Sequence, residues 1–133
     1  MTEFEAFEVI MMSTDMGATA SMNFVALVFA YLVAAFVAGK SLPKGIAVGT
    51  SAIYTIFLIP PLNGVIGNFT RVYEGDRYMR LTFPETWVIQ PEPLSMEILI
   101  SLFTFPMLAG WLGSLYFMHF YIRRSLKEKD VDA

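Results

Sequence analysis

Three long apolar runs, separated by short polar stretches, set the pattern of this chain. The first, Ala18 to Gly39, is twenty-two residues without a charge and is closed by Lys40. The second, Gly45 to Asn68, is twenty-four residues without a charge, with Arg71 just beyond it. The third, Ile98 to Ile122, holds His119 as its one ionisable side chain and is closed by Arg123 and Arg124. Each exceeds the ~20 residues that a helix needs to cross ~30 Å of hydrocarbon. A chain in hydrocarbon must satisfy its own backbone hydrogen bonds, so the runs predict helices rather than open strands. Three consecutive charge-free runs of this length argue against core helices of a soluble fold. The expected architecture is an all-α membrane protein of one domain, residues 1–133. Its transmembrane helices are expected at about 18–39, 45–68 and 98–122, with an exposed loop at 71–96.

Composition agrees with the pattern. The 133 residues are 56% hydrophobic and 16% charged, against about 45–50% and about 25% in soluble domains. A 15.0 kDa soluble fold has too little interior to hide that excess, since small domains bury a smaller share of their surface. A net charge of −3 gives no reason to expect a nucleic-acid partner. With no cysteine there is no disulfide and no thiolate chemistry. The first fifteen residues carry Glu3, Glu5, Glu8 and Asp15 and no base, unlike a cleavable signal peptide.

Basic residues set the expected orientation. The loop from Lys40 to Lys44 and the tail with Arg123, Arg124, Lys127 and Lys129 hold six, against Arg71, Arg77 and Arg80 on the other side. Positive charge stays cytoplasmic, which puts the C-terminus inside and the N-terminus and loop 71–96 outside. The short tails and the lack of a signal-peptide pattern make a prokaryotic inner membrane the expected location.

Helices in lipid associate through small residues that let backbones approach. Ala26, Ala30, Ala34 and Ala38 recur every fourth position in the first span, Gly45 and Gly49 open the second, and Gly110 and Gly113 lie in the third. These faces are expected to pack the three helices together, with a homo-oligomer as the alternative. At the N-terminus, Phe4, Phe7 and Met11 share a side at helical spacing, a weak amphipathic lead-in or a frayed end.

Two features are candidates for chemistry. Pro60 and Pro61 remove backbone donors near the middle of the second span, so a kink or break is expected there. Asn63, Thr55 or Thr50 could partner the freed carbonyls, and broken helices at such depth bind ions or substrates in transporters. His119 could serve a proton relay or a haem, but a polar residue reaching the headgroups is the simpler expectation. Ser95 reads as a helix cap before Glu97, and Asn68-Phe69-Thr70 matches the glycosylation sequon. No phosphate loop, metal-spaced histidines or nucleophile–base set is present, so no enzyme activity, cofactor or metal is expected. The layout resembles, in outline, accessory subunits of larger membrane complexes and three-span phage holins. The expected function is a non-catalytic subunit that packs against itself or a larger membrane partner. A small oligomeric pore is the alternative.

Overall fold

The computed structural model describes residues 1–87 and 95–121, and no strand occurs among them. Helix α1 spans Glu3–Ala38, α2 Lys44–Thr82, α3 Pro84–Trp87 and α4 Met96–Tyr116, which a π-helical turn continues over Phe117–Tyr121. Three of these helices are long and apolar enough to cross a membrane. The basic residues Arg123, Arg124, Lys127 and Lys129 and the loop residues Pro91 and Pro93 lie outside the described residues.

Local chemistry explains the helix ends. At the start of α1, Glu5 N–H donates to Thr2 Oγ1 at 3.3 Å and Thr2 N–H donates to Glu5 Oε2 at 2.7 Å. This capping box satisfies two orphan donors of the first turn. The Thr2 backbone bond, followed by the Thr2 side-chain bond, holds the Glu5 carboxyl below the usual glutamate range. Pro43 is the residue from which α2 departs; Thr82 is its last, because Phe83 precedes Pro84 and is driven out of helical geometry. Ser95 occupies the cap position of α4, but its side chain makes no capping bond.

Two expectations are corrected here. The N-terminal residues are not frayed: α1 begins at Glu3, and its buried side there is Ala6, Ile10 and Ser13, while Phe4, Phe7 and Met11 are exposed. Residues 71–82, expected as loop, are the last three turns of α2. With 36 and 39 residues, α1 and α2 are about 54 and 58 Å long at ~1.5 Å per residue.

The seam between α1 and α2 has a near-heptad spacing. Ile10, Gly17, Phe24, Tyr31 and Ala35 are buried on α1, and Ala47, Ser51, Tyr54, Leu58, Val65 and Met79 on α2. Intervals of three, four and seven keep one stripe facing the partner helix. Glycines set the spacing at its outer half. A Cβ on Gly75 would stand 2.6 Å from Ile10 Cγ1, and one on Gly64 would stand 3.0 Å from Ala20 Cβ. The helices are antiparallel: Ile10 meets Gly75, Gly17 meets Asn68, and Tyr31 meets Tyr54. Helix α4 returns antiparallel to α2, with Phe103 stacked on Phe69 and Trp111 bonded to Thr55. Above the end of α4, Ala6, Ile10 and Met79 form a separate small core with Trp87 and Phe83 against it.

That register aligns the charges. Asp15 comes level with Thr70 and Arg71, and Glu97 starts α4 near the same height, while Lys40 and Lys44 flank the opposite end of the α1–α2 pair. Between these levels lies a slab free of Asp, Glu, Lys and Arg. Large apolar side chains face outward across it, among them Phe29, Phe36, Phe57 and Phe105, each at least 61% exposed.

Candidate functional site

Four hydroxyl side chains within the slab, Tyr31, Ser51, Tyr54 and Ser114, form two linked pairs. Ser51 on α2 donates its single proton to Ala47 O at 2.8 Å, one helical turn back. Its oxygen also lies 2.6 Å from Tyr31 OH on α1 and 2.7 Å from His119 Nε2 at the end of α4. A serine has one donor and two lone pairs. Tyr31 OH, His119 Nε2 and Ala47 O thus share this one hydroxyl. The second pair has the same form: Ser114 Oγ lies 2.7 Å from Trp111 O and 2.9 Å from Tyr54 OH. The rings of Tyr31 and Tyr54 stack at 4.0 Å and 9°. All three helices are thereby tied together by side-chain hydrogen bonds.

The π-turn explains how His119 reaches this network. Ser114 and Met118 are buried on the α1–α2 side, the spacing an α-helix allows. His119 is five residues after Ser114, too far round for α geometry. A wider turn over Phe117–Tyr121 brings the fifth residue back to the same face. His119 is thus half-buried and bonded to Ser51, rather than standing free at the helix end as the sequence led us to expect.

The proline pair lies elsewhere, about 14 Å up α2 from Ser51 by nine residues of helix rise. Helix α2 is continuous through Pro60 and Pro61, which corrects the expected break. The two rings cost the helix the N–H groups that would reach Ile56 O and Phe57 O. The Thr55 hydroxyl accepts the Trp111 Nε1–H at 3.2 Å. Asn63 is exposed and does not join the proline pair in a site. Instead Pro60 and Pro61 line a groove of about 940 Å³ between α1 and α2, together with Ala26, Ala30, Phe57 and Asn68. Asn68 is 8% exposed, and its Nδ2 donates to Gly64 O at 2.7 Å. Its Oδ1 has no partner. So buried an amide is no acceptor for a glycan.

The small residues singled out from the sequence point away from the seam. Ala26, Ala30 and Ala34 are exposed and Ala38 is half-buried. A Cβ placed on Gly45, Gly49, Gly110 or Gly113 would meet nothing within 4 Å. The internal contacts use Gly17, Gly64 and Gly75 instead, so the expected internal packing role of the small-residue faces is not what the fold shows. Sequence reasoning also missed Tyr31 and Tyr54, and took Ser51 and Ser114 only as small packing residues. Their signal was present, as hydroxyls at near-heptad positions inside apolar runs, but the partners are distant in sequence.

Among the described residues no three His, Asp or Glu side chains stand where they could hold a metal. Comparison with protein-family models, curated proteins and solved structures finds no match to this chain.

Proposed function

We propose that this chain is an integral membrane protein, N-terminus outside and C-terminus in the cytoplasm, that acts without catalysis by packing against itself or a larger membrane partner. The observation that carries this reading is the outward placement of its small residues. Gly45, Gly49, Gly110 and Gly113 leave open backbone on the surface, in a slab where bulky side chains would otherwise cover the helix. Close backbone approach is what drives helix association in lipid. The level alignment of Asp15, Arg71 and Glu97 against Lys40 and Lys44 supports insertion, and the excess of basic residues at the Lys40 end supports the orientation. We take a prokaryotic inner membrane as the host. The hydroxyls of Tyr31, Ser51, Tyr54 and Ser114 support the non-catalytic part, as each is engaged in holding helices. The pore alternative drew on a kinked or broken second helix, and α2 runs without a break through Pro60 and Pro61.

The test is the mass of the species extracted from its membrane in a mild detergent, with all co-purifying chains identified. A discrete homo- or hetero-oligomer is expected, lost when Gly49→Leu and Gly113→Leu are introduced, with the helical circular dichroism retained. A lone chain in the membrane extract, or an assembly indifferent to both substitutions, would sink the reading.

A further inference from the structure

The groove between α1 and α2 has a graded lining. Asp15, Thr19 and Asn23 line it at intervals of four on one face of α1. They descend about 12 Å from the level of the first charges into the slab. All three are exposed, and the fold gives none of them a hydrogen-bond partner. An exposed carboxamide at the depth of Asn23 is costly against bare hydrocarbon, because nothing there bonds to it. Asn68 adds the buried, unpartnered Oδ1 on the facing helix. Below Asn23 the lining turns apolar, with Ala26, Ala30, Phe57, Pro60 and Pro61.

We propose that this groove is a binding site for one aminophospholipid molecule. This rests on the chain spanning a membrane. The ammonium of the headgroup meets the Asp15 carboxylate, the phosphate and glycerol esters meet Thr19 and Asn23, and an acyl chain lies along Ala26, Ala30 and Pro60. Charge complementarity selects the head: Asp15 is the one charge in the lining, and it is an acceptor, as is the free Asn68 Oδ1. From Asp15 to Ala30 the groove runs about 22 Å along α1.

The experiment is native mass spectrometry of the full chain in a mild detergent, titrated with phosphatidylethanolamine, phosphatidylcholine or phosphatidylglycerol of identical acyl chains. One phosphatidylethanolamine per chain is expected, in preference to the other two. Asp15→Asn should weaken it about tenfold, the loss of one charge-assisted hydrogen bond. Ala26→Phe with Ala30→Phe should abolish it, and Ala30→Leu alone should weaken it, with circular dichroism unchanged. Equal retention of the three lipids, or retention that survives groove filling, overturns the proposal. So does a second polypeptide protecting a cysteine placed at Ala30. Resistance of the chain to carbonate extraction from membranes is measured separately, so a failure of the membrane reading is seen apart from a failure of the lipid site.

Discussion

Ser51 ties α1 and the end of α4 to α2 through one hydroxyl. Ser51→Ala leaves Tyr31 OH and His119 Nε2 without that partner. We expect a loss of about 1–3 kcal/mol, the usual penalty for orphaned buried polar groups, measured by thermal unfolding in one detergent. Tyr31→Phe added to Ser51→Ala should recover part of that loss, since it removes one orphan; full additivity of the two changes would contradict the Tyr31–Ser51 bond. Gly75 makes a second residue-scale prediction. Alanine there drives a Cβ into Ile10, an overpacking cost of ~1–3 kcal/mol that exceeds the ~1 kcal/mol gained in helix propensity. Because Ile10 Cγ1 is the nearest atom, Ile10→Ala should relieve the strain, which a clash elsewhere would not allow. Glu5 gives a pH effect. Its carboxyl is held low by Thr2, so the folded cap is favoured at neutral pH and is lost as pH falls through that lowered value. Amide exchange over residues 3–7 should therefore quicken on acidification, and Glu5→Gln should flatten the response.

At the scale of elements, the three apolar runs and their helical nature were legible because each exceeds the length of a span without a charge. The ends were not. The acidic lead-in and residues 71–82 carry too little apolar periodicity to announce a helix, yet each continues one already nucleated below, where adding a residue is far easier than starting a turn. The proline pair was legible as a disturbance but not in its outcome. Helix α2 persists since the rest of its turns are anchored along α1 through Tyr54, Leu58 and Val65. Pro61→Ala should accordingly raise the melting temperature of the chain by restoring one backbone bond. A fall would show that the proline ring itself fills a needed space.

At the scale of the whole molecule, the absence of cysteine makes single-cysteine labelling clean. An impermeant thiol reagent applied outside intact cells should label Glu8→Cys and Arg77→Cys and not Ser41→Cys, if the orientation proposed here holds. The reverse pattern would invert the topology without altering the fold. The small-residue faces show how much depended on the third dimension. Ala26, Ala30, Gly49 and Gly113 were recognisable as a packing vocabulary, but a stripe along a helix does not say which neighbour it meets. Only the register of α1 on α2, set by Gly17, Gly64 and Gly75, turned those faces outward. The candidate groove likewise joins Asp15 and Asn23 to Pro60 and Asn68, more than thirty residues apart.

By itself the sequence determined what length and charge can dictate: helices, three of them span-sized, and the two levels where charge begins. Those properties depend on residues close together in the chain and on the cost of placing charge or bare backbone in an apolar medium. Tertiary structure alone decided which face of each helix is inside, that His119 meets Ser51, and that the prolines line an outward groove. Each of these depends on rotations of helices about their own axes. A run apolar on every side leaves such rotations almost degenerate, and they are fixed by a few close contacts between positions far apart in the chain.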